Sequence, residues 1–162
     1  MTQRGGARAA TFDQELQSWL GDEPDAVRGA DAERGRDIAA GFAAGFDRLG
    51  GIGPAVTMVG SARTVPEDPR YRLMGSVGAA LGRAGYAVIT GGGPGLMEAA
   101  NRGARDAGAL SIGCDIEVPR EQRMNDYLDL ALRFRHFFAP KVMFVRYASA
   151  FVIGPGGLGQ AW

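Results

Sequence analysis

Thiols, lysines and histidines are nearly missing from this sequence: Cys114, Lys141 and His136 are the sole examples of each. One cysteine excludes an internal disulfide and, without a second thiol, the usual zinc-binding pattern, so a reducing compartment, the cytoplasm, is expected. One histidine, set among Phe134, Phe137 and Phe138, gives no basis for a catalytic triad and reads as a packed or surface residue. Charge of one sign is missing too. The 18 basic and 18 acidic side chains cancel, which removes the broad attraction that nucleic-acid and membrane-surface binders use. No apolar run approaches the roughly 18 residues of a membrane span. Residues 1–10 carry Arg4 and Arg8, but residues 11–22 are too polar for a signal-peptide core. A small ligand is the expected partner, with neither nucleic acid nor membrane.

What is present is an ordinary globular mixture, 46% hydrophobic and 22% charged in 162 residues, enough for one packed core. Its composition changes along the chain. Residues 1–10 and 21–36 are rich in Gly, Ala, Asp and Arg without apolar periodicity, and they read as a tail and a linker. Phe12, Leu16, Trp19 and Leu20, then Ile38, Phe42, Phe46 and Leu49, have helical spacing. Residues 1–50 are therefore expected to be an N-terminal tail and helical extension, and residues 51–162 a nucleotide-binding domain.

From residue 55 strands and helices alternate. Ala55–Val59 is an apolar run ending in Gly60-Ser61, and residues 71–84 are helical through Leu73, Val77, Ala80 and Leu81. Residues 86–90 form a second strand candidate, followed by Gly91-Gly92-Gly93-Pro94-Gly95 and a helix carrying Leu96, Met97, Ala99, Ala100, Gly103 and Ala104. Strands are expected at 109–113, 127–132 and 150–153, with a helix at 141–147. This grammar predicts an α/β fold, a Rossmann-like, doubly wound, mostly parallel sheet.

Such sheets bind ligands beyond the carboxyl ends of their strands. Glycines stand at three of these ends: Gly60-Ser61, residues 91–95, and Pro155-Gly156-Gly157-Leu158-Gly159. Glycine lets the backbone approach a phosphate, whose charge the N–H groups and the helix dipole stabilise. A dinucleotide fingerprint is excluded by spacing, because Gly91-x-Gly93-x-Gly95 follows the second strand rather than the first. A P-loop is excluded because no Gly-Lys-Ser/Thr follows. A mononucleotide fits best. Ser61 is able to donate to a phosphate or to cap a turn. Glu98, in the first helical turn, either complements the dipole or contacts a ribose or metal. Arg63, Arg102, Arg120 and Arg123 read as solvated, and Cys114, just after a buried strand, as apolar filler. No cofactor and no metal cluster is expected.

The string Gly91-Gly92-Gly93-Pro94-Gly95-Leu96-Met97-Glu98-Ala99-Ala100-Asn101 closely resembles the first motif of the Lonely Guy (LOG) group, long mislabelled as possible lysine decarboxylases. Pro155-Gly156-Gly157-Leu158-Gly159 resembles the start of its PGGxGTxxE motif, and Lys141, Met143 and Phe144 resemble its R-K-x-M-F helix. Gly60-Ser61 and Ile116-Glu117-x-Pro119-x-Glu121-Gln122 are similar as well, so the likeness covers residues 50–159.

The resemblance implies a homodimeric phosphoribohydrolase that converts a nucleoside 5′-monophosphate, AMP or a cytokinin riboside monophosphate, to free base and ribose 5-phosphate. It implies phosphate or substrate contacts at Gly60, Ser61, Gly91, Gly92, Gly93, Gly95, Glu98, Lys141, Gly156, Gly157 and Gly159. Bond cleavage builds oxocarbenium-like charge that a carboxylate stabilises. Two positions depart from the pattern. Pro140 stands where the group has its catalytic Arg, and Gln160-Ala161-Trp162 follows Gly159 without the motif's Thr and Glu. A sheet lacking its final helix and strand, impaired hydrolysis and an alternative role as a non-catalytic nucleotide binder are the expectations, with Glu98 the one candidate carboxylate. The decarboxylase label would require a pyridoxal phosphate lysine, and Lys141 already has a place in the resemblance.

Overall fold

The computed structural model describes residues 24–117 and 123–156. Its elements are α1 (Pro24–Leu49), β1 (Ala55–Val59), α2 (Pro69–Arg83), β2 (Ala87–Thr90), α3 (Leu96–Asp106), β3 (Ser111–Ile116), β4 (Leu130–Phe134), α4 (Phe138–Tyr147) and β5 (Ala148–Ile153). The chain divides into two compact units, residues 1–39 and 40–162, and the division falls inside α1.

The strands form one sheet in the order β4-β3-β2-β1-β5, and all four pairings are parallel. The chain steps outward from β1 to β4 and then returns beside β1. That reversal decides where the helices lie, because right-handed crossovers put helices of opposite stepping direction on opposite faces. Alternation along the strands supplies both faces. Val56, Met58 and Val88 pack with Tyr71 and Met74 of α2 and Leu96, Ala99, Ala100 and Ala104 of α3. Ala55, Ala87, Ile89, Ile112, Cys114, Leu132 and Phe134 pack with Leu49, from the end of α1, and with Ala139 and Met143 of α4. The result is a doubly wound α/β/α sandwich with its topological switch between β1 and β5.

Two glycine positions let α2 and α3 touch backbone to backbone. A Cβ on Gly78 would stand 2.5 Å from the Ala100 carbonyl oxygen, and one on Gly103 would overlap the Gly75 carbonyl oxygen. The helix that begins with the glycine motif is thereby seated rigidly against its neighbour. Asp68 starts α2 by accepting from the Arg70 N–H, 2.8 Å away, and also pairs with the Arg70 guanidinium, which holds its carboxyl down at about 2.

Several sequence boundaries move. Residues 24–36, expected to be linker, are the first half of α1. Their Ala, Arg and Glu content favours a helix even without an apolar stripe, and Pro24 suits a first-turn position. The 12–20 helical pattern lies outside the described residues. The third strand runs 111–116 rather than 109–113, because Ala109 completes the end of α3 by donating to Ala104 while Asp115 and Ile116 pair with β4. Cys114 therefore sits inside β3 rather than just after it. The fourth strand starts at Leu130 rather than 127, since the Tyr127 N–H is taken by the Asn125 side chain in a turn. β5 begins two residues before the expected 150, directly from the end of α4, and α4 begins at Phe138.

Candidate functional site

Three glycine-bearing strand ends meet at the switch point. The Ser61 N–H donates to the Pro155 carbonyl at 3.1 Å, the Leu96 N–H to the Ser61 carbonyl at 3.0 Å, and the Gly154 N–H to the Val59 carbonyl at 2.7 Å. Gly95, the N-cap of α3, has φ +70°, and a Cβ there would overlap the Ser61 carbonyl oxygen. A side chain at this position would be strained and would push the loops apart. Gly156 approaches from β5: its Cβ would lie 3.0 Å from that of Ser61. The 60–62, 91–96 and 154–156 segments thus make one platform, with the N-terminus of α3 at its centre.

Not every motif glycine owes its place to a ligand. A Cβ on Gly60 would stand 2.8 Å from the Leu96 Cβ, so Gly60 makes room for α3. Gly91 and Gly93 are opposed by the tip of Met97, and Gly92, at φ +74°, by Met124 and the Gly113 backbone. The Ser61 hydroxyl accepts from the Arg63 N–H at 3.1 Å, the turn-capping arrangement. Gly157 and Gly159 lie outside the described residues.

Beside the platform opens a cleft of about 260 Å³ lined by Pro94, Glu98, Arg123, Met124, Asn125, Asp126 and Tyr127. Glu98 is half-buried, and its carboxylate accepts from the Tyr71 hydroxyl at 2.7 Å. Burial first, and this carboxylate second, push the Tyr71 hydroxyl up to about 12. Tyr71 therefore stays a proton donor and fixes the carboxylate at the cleft wall. The Arg102 guanidinium lies 5.6 Å from the Tyr127 ring centroid, and Arg123 pairs with Asp126 at 2.8 Å. Arg120 lies outside the described residues.

Under the glycine turn is a buried polar chain that sequence reading overlooked. Thr90, Asn101 and Ser111 are fully buried. The Thr90 hydroxyl donates to the Asn101 Oδ1 at 2.6 Å and accepts from the Gly92 N–H at 2.9 Å, and the Asn101 Nδ2 donates to the Ser111 hydroxyl at 2.9 Å. Asn101 had a visible signal, since it interrupts the apolar face of its helix. Thr90 closes an otherwise apolar run, whereas Ser111 and Asn125 carried no signal at all.

The segment that carries the R-K-x-M-F resemblance opens α4. Pro140 is buried in the first turn of α4, where a helix needs no N–H from it. The Lys141 ammonium lies 4.1 Å over the Phe137 ring. His136 stacks on Phe138 with centroids 5.5 Å apart. Cys114 is sealed in the core, and burial pushes its thiol up to about 12. Among the described residues no group of three or more His, Cys, Asp or Glu side chains is placed to hold a metal, and no helix is long and apolar enough to cross a membrane.

The SLOG cluster4 family model matches residues 54–161, which hold the whole sheet and the three strand ends. The chain belongs to the SLOG cluster4 family. This puts it in the SLOG superfamily, with a LOG-like nucleotide-binding fold. An uncharacterized protein of Archaeoglobus fulgidus is 30% identical over 94 residues, which are 57% of this chain and 60% of that protein. The crystal structure of TM1055, a structural-genomics target, is 30% identical with a TM-score of 0.55, over 67% of this chain and 64% of that one. The molybdenum cofactor carrier protein of Chlamydomonas reinhardtii is 22% identical with a TM-score of 0.56, over 66% of this chain and 65% of that one, and shares the fold. The chain spans under two thirds of the length of each of these relatives.

Proposed function

We propose that this SLOG protein binds a nucleoside 5′-monophosphate, with the phosphate at the glycine turn opening α3 and the nucleoside along the neighbouring cleft. The observation that carries this reading is the platform. Leu96 and Ser61 tie the ends of β1, β2 and β5 together by main-chain hydrogen bonds of 3.0 and 3.1 Å, and an 11-residue helix starts there from a glycine cap. Such a terminus favours an anion by its N–H groups and its dipole.

The reaction of the LOG group would be hydrolysis: water attacks the anomeric carbon, the bond to the base breaks, and ribose 5-phosphate remains. For this chain we read that activity as impaired. Pro140 supplies no guanidinium, and the two carboxylates on the cleft wall, Glu98 and Asp126, are already engaged by Tyr71 and Arg123. Loss of one well-placed electrostatic group costs roughly 10²–10³ in rate.

Titration calorimetry with AMP and adenosine tests the binding step. AMP should bind at least about tenfold more tightly than adenosine, a phosphate contribution of the helix-terminus class, and Gly93→Val should weaken it. Equal affinities for the two would end the phosphate reading. Base release from AMP, followed by chromatography, should be negligible. Robust turnover abolished by Glu98→Gln would instead make Glu98 the working carboxylate.

A further inference from the structure

The mononucleotide reading does not explain the hydrogen bonds of Asn125 in the cleft wall. Asn125 reaches across from the 123–127 segment to the glycine turn: its main-chain N–H donates to the Gly92 carbonyl at 2.8 Å, and its Nδ2 lies 3.1 Å from both the Gly92 and Gly93 carbonyl oxygens. The same Nδ2 is 3.0 Å from the Asn101 Oδ1. Asn101 is itself fixed on its other side, by Ser111 and by the Ile112 carbonyl at 3.3 Å. The clamp is therefore anchored in the core rather than in another loop.

Its consequence follows from peptide geometry. A trans peptide is planar, with its C=O and the next N–H pointing in opposite directions. Holding the Gly92 carbonyl toward Asn125 thus sets the direction of the Gly93 N–H. Consecutive glycines have the most backbone freedom to lose, so without such a hold the Gly92–Gly93 peptide would sample many directions. The Gly92 N–H is set in turn by the Thr90 hydroxyl. The Gly92 residue is thus held at both its N–H and its carbonyl.

We propose that Asn125 is a positioning residue that clamps the two lips of the cleft, the 123–127 segment and the start of α3, and orients the Gly93 N–H for an anion. For its ligand this rests on the mononucleotide reading. The clamp itself belongs to the protein before any ligand arrives.

Hydrogen–deuterium exchange of the full chain without ligand separates the two. Asn125→Asp keeps the side chain's size and the Oδ1 that accepts from the Tyr127 N–H at 3.1 Å, but it loses the Nδ2 donors. Asn125→Ala loses both and adds no charge. In each variant the Gly92 amide, held by the Thr90 hydroxyl, and the residue-125 amide, held by the Gly92 carbonyl, should exchange about tenfold faster, the worth of a net hydrogen bond of this kind, while β1 and β2 keep their protection. Wild-type exchange in Asn125→Asp would overturn the clamp, because turn-capping alone would then suffice. Faster exchange throughout β1 and β2 would also overturn it, by making Asn125 merely structural. The AMP arm is separate: Asn125→Ala should lower AMP affinity about tenfold by the same reckoning. If the wild-type protein ignores AMP altogether, the mononucleotide reading falls and the exchange result still decides the clamp.

Discussion

On the face covered by α2 and α3 backbone meets backbone, whereas on the face covered by the end of α1 and by α4 large side chains fill the gap. Gly75, Gly78 and Gly103 set the first contact, and a Cβ on Gly78 or Gly103 would run into main-chain atoms that cannot step aside. On the second face the corresponding glycine is Gly45, whose Cβ would meet Met143 Cε at 2.8 Å, Met143 Sδ at 2.9 Å and Phe134 Cε1 at 3.0 Å. A methionine tip has rotatable bonds to spend, and a carbonyl in a helix has none. Between these packed helix glycines, what differs is the stiffness of the neighbour. The stiff face is the one that seats α3, and α3 opens the candidate site.

The sharpest test of that contrast is Gly103→Ala. In an isolated helix the change would stabilise by up to about 1 kcal/mol. Here the new methyl would overlap the Gly75 carbonyl oxygen, and the helices must separate. Overpacking that forces backbone to move costs roughly 1–3 kcal/mol, and this overlap belongs at the upper end of that range. Urea denaturation should show that loss, and nucleotide binding should weaken with it as α3 shifts. A neutral substitution would mean that α2 and α3 slide freely, and the two faces would no longer differ.

This contrast also marks what could be read before the structure. The parallel sheet, the order of elements and the three glycine ends were legible, because apolar runs of four to six residues followed by glycine leave few other folds. The reasons for individual glycines were not. Gly60 and Gly95 both follow apolar strands, yet one clears a path for Leu96 and the other turns at φ +70° against Ser61. Segment 24–36 was misread because a helix without an apolar stripe gives no periodic signal. Asn125 was invisible for a different reason: its partners Gly92 and Gly93 are more than 30 residues away in sequence, and a loop asparagine looks the same whether or not it clamps anything.

A smaller effect probes the other face through its thiol. Cys114 packs with Ile112, Leu132, Phe134 and Met143, and burial raises it from 9.0 to about 12. The unfolded chain therefore releases this proton near pH 9 while the folded chain holds it. Between pH 9 and 12 the folded state binds more protons, so stability falls as pH rises, by at most about 1.4 kcal/mol per unit from this group. Below pH 9 both states keep the proton, and Cys114 contributes no slope. Denaturation midpoints measured at pH 8.5, 9.5 and 10 should decline for the wild type and less steeply for Cys114→Ala. Identical slopes would show that the α1–α4 face admits water to the thiol and is looser than its packing implies.

The smallest effect is expected at Gly45, and it is the one that isolates stiffness from crowding. On distance alone Gly45→Ala looks nearly as costly as a change at Gly78, since its closest neighbour would be 2.8 Å away against 2.5 Å. The difference is the identity of that neighbour. Met143 is fully buried, but its Cε and Sδ end an unbranched chain that shifts by a few tenths of an ångström through its own torsions. The helix gains up to about 1 kcal/mol from replacing glycine, which offsets most of the repacking. The net change should stay within about 1 kcal/mol of zero, read from the urea midpoint at constant slope. A loss as large as that of Gly103→Ala would show that both faces are equally rigid, and neighbour stiffness would then fail as the account of where this fold demands glycine.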